Sequence, residues 1–352
     1  MKEFVPDYSS LVSSAMNTQV KRFPLYEHII DPHVMEKILG IEFADLYHGN
    51  DRDLDEFFRI YCGFYKQMGY DTVSFEELIG PAMPGSGALG SHAPGAIHTR
   101  EDYERYPWNE VVDTFFSLYS RSYTSLRKNM PEGMKAIGGA GYGIFECVQD
   151  VVGYENLCYM MVDDPLLYKE MFVRVGSTNL AIWERLLHEF GDAFCVCRFG
   201  DDLGFKSGTL ISDTDIKEDI IPQYARIIEA VHAQHKPFLL HSCGCIFSVM
   251  DDLITKAKID AKHSNEDQIA PFSYWVETYG DRIGNFGGID TDAVCQLGEK
   301  EMHEYISDVV QAADGHGGFA FGSGNSIPDY VPADQFVQMN RIVRTIRGDF
   351  TC

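Results

Sequence analysis

The stretch "HSCGCI" (241–246) sets His241, Cys243 and Cys245 at alternate positions, directly after "KPFLL" (236–240). On an extended segment, residues two apart point to the same face, so the imidazole of His241 and the thiol of Cys243 share one side. That pairing suits zinc, which takes nitrogen and thiolate sulfur as ligands and needs a third protein ligand, with one position left open if the ion is catalytic. Glu266, which follows the next apolar run in "KHSNED" (262–267), is the candidate third ligand, with His263 or Cys245 as substitutes. Gly244 allows a sharp turn between the two cysteines. The bland alternative is a hydrogen-bonded core histidine with two small buried sulfur fillers.

Other polar groups close other apolar runs. "CVCRFGDD" (195–202) ends on Asp201 and Asp202. Neighbours on a strand diverge, so one acid is expected at a site, as general acid/base or substrate acceptor, and the other in support of a loop. Arg198, deeper in the same run, is expected to pair with an interior acid. "GGID" (287–290) and "GSGNS" (322–326) place Gly288 and Gly324 where backbone approaches a ligand closely, or where the chain simply turns. Asn325 offers both a donor and an acceptor.

These groups need a scaffold that gathers strand ends. From residue 135, six short apolar runs recur: "KAIGGAG", "DAFCVCRFG", "KPFLLHSCG", "KIDAKHS", "RIGNFGGID" and "GGFAFGSGN". Helical periodicity lies between several of them, as in "DPLLYKEMFVRVGSTNLAIWERLLHEFG" and "DTDIKEDIIPQYARIIEAVHAQ", the latter opening on an Asp/Thr cap with acids in its first turn. Strand-then-helix in series implies parallel strands with crossover helices. Two earlier strands, "FPLYEHI" and "DTVSF", bring the count to eight. The expectation is an α/β fold, a (β/α)8 (TIM) barrel over residues 66–352 with an N-terminal helical extension over 1–65. Active sites of such barrels sit at the C-terminal strand ends. A doubly wound sheet is disfavoured, because "GGAGYG" (138–143) has the wrong spacing for its phosphate-binding turn. The Gly- and Pro-rich stretch 80–98 reads as a long loop without regular structure, either a lid or a surface insert.

Composition narrows the partners. With 53 acidic and 29 basic side chains the net charge is −24, which repels nucleic acid and anionic membrane. It also opposes a site that grips many carboxylates. Nine cysteines without framework spacing, no signal-like N-terminus and no long apolar run predict a cytoplasmic chain with reduced thiols.

The motifs "FGDDLGFKSGTLIS" (199–212), "LLHSCGCI" (239–246), "KHSNEDQIAP" (262–271), "YGDRIGNFGGIDTDAV" (279–294) and "GSGNSIPDYVP" (322–332) resemble those of the uroporphyrinogen decarboxylase superfamily, over roughly residues 100–345. The resemblance implies a (β/α)8 barrel and points to the zinc-dependent methyltransferases of corrinoid systems. In that branch His241 and Cys243 would hold one zinc with Glu266, since Ser323 and Ser326 stand where a second cysteine is usual. Asp201 or Asp202 and Asn325 would orient the substrate or handle its proton. It further implies a small methylated substrate, such as a methoxylated compound, and cobalamin carried by a partner corrinoid protein, with a homodimer possible in this family. The decarboxylase branch is the alternative, but its arginine-bearing signature is absent from "VKRFPLYEHIIDP" (20–32). A barrel that binds a ligand without catalysis is a third reading.

Overall fold

A computed structural model describes residues 4–91 and 94–350. Among the described residues nine strands occur: β1 (Val73–Leu78), β2 (Ala136–Gly141), β3 (Phe194–Gly200), β4 (Gly204–Phe205), β5 (Gly208–Thr209), β6 (Phe238–His241), β7 (Ala261–His263), β8 (Gly284–Ile289) and β9 (Phe319–Ser323). Seven of them form one parallel sheet in the order β1-β2-β3-β6-β7-β8-β9, while β4 and β5 make a small antiparallel hairpin. The order in space is the order in sequence, without the reversal of a doubly wound sheet. Each apolar run from residue 135 onward, and "DTVSF", contributes a strand of this curled sheet.

The expected strand at "FPLYEHI" is not formed. That segment runs beside β9, touching it through a single bridge, Leu25 to Phe321, with a second bridge beyond both, Ile30 to Ile327. On its other side it meets β1 through side chains. Pro24 has no amide to donate. The His28 carbonyl is occupied by the Ser74 hydroxyl and by the Arg198 guanidinium at 2.9 Å, so it is not paired with the β1 backbone. The sheet is therefore a curled seven-stranded arc, TIM-like but not a closed eight-stranded barrel.

The interior is filled from below. Leu11 and Ala15 of the helix Tyr8–Ala15 pack with Tyr26, Ile137, Cys195, Leu239, Ala261, Phe286 and Ala320, all buried. Above this apolar layer lies a polar one. Arg198, completely buried, holds Glu76 of β1 at 2.8 Å and the Tyr26 hydroxyl at 3.0 Å, so its partner is an interior acid.

The crossover helices begin where the sequence provides caps. Asp164 accepts the Leu167 amide to start Pro165–Phe190. Ser212 caps the helix that follows it, with Asp213 and Asp215 in the first turn. Gly40, at φ 68°, ends Pro32–Leu39.

The stretch 80–98 is more ordered than its composition predicts. It carries a short 3-10 turn at Gly80–Ala82 and a helical turn at Ala88–Ser91. Asp150 accepts the Gly87 and Leu89 amides at 2.8 and 3.1 Å, and Met83 and Ile97 are buried. His92 and Ala93, within that stretch, lie outside the described residues. Among the described residues no helix is long and apolar enough to cross a membrane.

Candidate metal centre

β6 ends at His241, and the chain turns at Gly244 with φ 81°. A Cβ there would lie 2.2 Å from the Gly204 backbone, so only glycine lets the β4–β5 hairpin seat on this turn. The Cys245 amide then bonds the Phe205 carbonyl at 2.7 Å.

Among the described residues two groups of potential ligands share His241: His28 with His241 and His263, and Asp202 with His241 and Cys243. Geometry separates them. The His28 and His241 rings are stacked, 3.7 Å apart and 8° from parallel. A histidine nitrogen holds an ion in the plane of its ring at about 2.0–2.1 Å, and two stacked planes share no such point. The His241 and His263 Nδ1 atoms stand 2.7 Å apart, a hydrogen-bond distance. Two ligands of one tetrahedral zinc would stand about 3.3 Å apart. The three histidines are a packed, hydrogen-bonded cluster.

The second group has the directions that the first lacks. Cys243 Sγ lies 3.4 Å and Asp202 Oδ1 3.9 Å from His241 Nε2. The same Asp202 oxygen accepts the Cys243 amide at 2.8 Å, tying β3's end to β6's end. His241 is nearly sealed, whereas the Asp202 side chain is 43% exposed, so the group opens to solvent on the acid's side. Asn325 donates to Cys243 Sγ at 3.3 Å, and Ser264 does so at 3.7 Å.

Burial governs the protonation states. It holds His241 and His28 well below the ordinary imidazole range and lowers His263 to about 3, so all three are neutral. Burial, then the Asp202 charge, pushes the Cys243 thiol up. Burial lowers Lys262, which lies over Trp275 and donates to the Ser264 carbonyl, to about 7. Neutral imidazole nitrogen, a thiol needing counter-charge and an exposed carboxylate are a donor set that fits zinc.

The remaining predicted residues fall elsewhere. Glu266 is not within the group; it lines an adjacent cavity of about 280 Å³ with Asn325, Asp290 and Lys206. The acid at ligand distance is Asp202. Asp201 turns the opposite way and is completely buried, accepting the Phe145 and Glu146 amides at 2.9 and 2.8 Å and the Tyr224 hydroxyl. Burial pushes it up to about 6 against those three donors. It caps the helix Ile144–Val152 and does not face the group. The close approaches at Gly288 and Gly324 are to protein. The Gly288 amide and carbonyl bond the Asn265 side chain, and a Cβ at Gly324 would lie 2.1 Å from the Asn265 carbonyl. Cys245 is outside the group as well. Ser323 turns its hydroxyl to Glu27 at 2.5 Å, away from Cys243.

The family model described as uroporphyrinogen decarboxylase (URO-D) matches residues 65–346. The chain belongs to the uroporphyrinogen decarboxylase family. No curated protein matches it significantly. Among solved structures it is similar to a methyltransferase from Methanosarcina mazei, with TM-score 0.71 and 13% identity, covering 97% of this chain and 98% of that one. It is also similar to a putative vitamin-B12 independent methionine synthase from Listeria monocytogenes, with TM-score 0.53 and 12% identity, covering 95% and 100% of the two chains. At such identities the likeness is one of fold.

Asp202, His241, Cys243 and His263 lie inside the range matched by the uroporphyrinogen decarboxylase family, and Glu27 and His28 lie before it. These last two, with Glu76, were missed in the sequence. The alternation of "LYEHI", which sends Tyr26 and His28 to one side, was a signal for His28 alone.

Proposed function

We propose that this member of the uroporphyrinogen decarboxylase family is a methyltransferase that holds one zinc ion through His241, Cys243 and Asp202. In this reading it moves a methyl group between a small methylated substrate and the cobalamin of a partner corrinoid protein. The observation that carries it is the convergence of the Asp202, His241 and Cys243 ligand atoms at the C-terminal strand ends. When bound, zinc would supply Lewis acidity to the substrate's heteroatom.

The chain's own residues would do the rest. His241 is neutral, as a ligand must be. Asn325, donating to Cys243 Sγ, would temper the charge of the thiolate. Asn325 also lines the cavity that holds Glu266, so the substrate would sit beside the sulfur and be oriented by those two side chains. Glu266 thus becomes a substrate contact instead of a ligand. The decarboxylase alternative draws less support. Arg198 and Lys262, the cations that act on His241, are buried and engaged by Glu76 and by the Ser264 carbonyl, so neither is presented to a substrate with many carboxylates.

Zinc content of protein purified without chelator tests the reading. One zinc per chain is expected, lost in His241→Ala, Cys243→Ser and Asp202→Asn and kept in Glu266→Gln. Zinc lost from Glu266→Gln but kept in Asp202→Asn would overturn the ligand set. Wild-type protein without zinc would overturn the metal reading. Transfer of methyl to a free corrinoid, abolished in His241→Ala, is the matching activity assay.

A further inference from the structure

We infer that His263 orients His241, fixing its proton on Nδ1 so that Nε2 presents a lone pair to Cys243 and Asp202. This rests on the metal reading above, with His263 as a positioning residue that touches no substrate. The argument begins at a carbonyl. His263 Nε2 lies 3.0 Å from the Ser323 carbonyl oxygen, which can only accept, so Nε2 carries a hydrogen. His263 is completely buried. Its ring nitrogens meet the Ser323 carbonyl and His241 Nδ1, and neither partner is an anion that would hold a second proton. Its ring is therefore neutral and its Nδ1 bare.

That bare Nδ1 faces His241 Nδ1 at 2.7 Å. Two lone pairs at this separation repel, so His241 Nδ1 must carry the hydrogen between them. A neutral His241 then has its free lone pair on Nε2, the atom 3.4 Å from Cys243 Sγ. The ring cannot rotate out of this arrangement cheaply, because His28 is stacked on its face at 3.7 Å. The far end of the relay is fixed too. Glu27 accepts the Ser323 amide at 3.1 Å and its hydroxyl at 2.5 Å, holding the residue whose carbonyl sets the tautomer. A donor bond on the second ring nitrogen is how proteins commonly fix a metal-binding histidine, and losing the partner typically costs 10–100-fold in metal affinity.

The test reads the tautomer without metal. In zinc-free protein labelled with 15N-histidine, long-range 1H–15N correlations should show His241 protonated at Nδ1 and bare at Nε2. In His263→Phe, which keeps the ring volume but cannot accept, that pattern should be lost. Zinc affinity, measured by chelator competition, should fall by about 10–100-fold. Should the Phe variant fail to fold, His263→Asn replaces it, because its Oδ1 can still accept from His241 Nδ1; it should keep the wild-type tautomer and lie within about tenfold of wild-type affinity. A wild-type His241 protonated at Nε2 would overturn the inference, as would a folded Phe variant with wild-type affinity or an Asn variant that shifts the proton. A wild type that binds no zinc yet shows the Nδ1–H form would remove the metal reading alone, so the two failures are distinguishable.

Discussion

Removal of the Asp201 carboxylate should cost stability far more than chemistry. Its oxygens accept the Phe145 and Glu146 amides and the Tyr224 hydroxyl, and Asp201, Phe145 and Tyr224 are completely buried. In Asp201→Ala the Phe145 amide and the Tyr224 hydroxyl are left with no acceptor and no water. A buried unsatisfied donor costs about 1–3 kcal/mol, which gives about 2–6 kcal/mol for the two. Glu146 is half-buried, so its amide can find solvent and adds less. Against a typical total of about 5–15 kcal/mol, the Ala variant is severely weakened. Asp201→Asn is the informative variant, because its one remaining carbonyl oxygen keeps part of the bonding while its amide group faces a donor. Urea unfolding followed by circular dichroism should show the midpoint falling in both, more in Ala, with the slope unchanged. Methyl transfer per folded molecule, and zinc content, should stay at wild-type levels in Asp201→Asn. If that variant unfolded within about 0.5 kcal/mol of wild type while methyl transfer collapsed, Asp201 would be acting on substrate, and its assignment as a helix cap would be wrong.

Two further outcomes are expected. Burial raises Glu27 from 4.5 to about 8 in the folded chain. Between those values the folded state keeps a proton that the unfolded chain releases, so stability is full below pH 4.5, falls as pH climbs and levels above 8. Glu27→Gln should flatten this decline in urea midpoints measured from pH 5 to 9, and an unchanged slope would show that Glu27 is not its source. Gly244→Ala forces a left-handed residue into the Gly204 backbone. It should unseat the β4–β5 hairpin, cost about 1–3 kcal/mol and weaken zinc binding, and wild-type values of both would contradict the packing described.

The strands were legible because parallel strands buried on both faces read as short apolar runs, and "KPFLLHSCG" and "GGFAFGSGN" bounded theirs with glycine. "FPLYEHI" looked equally apolar, yet whether it pairs depends on who claims the His28 carbonyl, and the claimant, Arg198, is 170 residues away. The His241 and Cys243 pair was legible from spacing alone. The third member was not: Asp202 and Glu266 both follow strand ends, and only the capping of Ile144–Val152 by Asp201 reveals that Asp202 is the acid turned toward Cys243. Glycines likewise announce a close approach without naming what approaches. At Gly288 and Gly324 it is Asn265, whose side chain and backbone stitch β7's end to those of β8 and β9.

The bond between Glu27 and Ser323 joins residues 296 apart in the chain. At ribosomal speeds, about 15–60 s pass between their emergence. For the last 60 residues of that stretch, about 3–12 s, His241, Cys243 and His263 already exist, but the carbonyl that aligns them does not. In the metal reading proposed above, a nascent chain would expose a thiol and two unaligned imidazoles to the cell's metals before it could discriminate among them. On that reading, discrimination would come only when the last strand docks against the first segment, so the finished fold, and not the ligand motif, would decide which ion is kept.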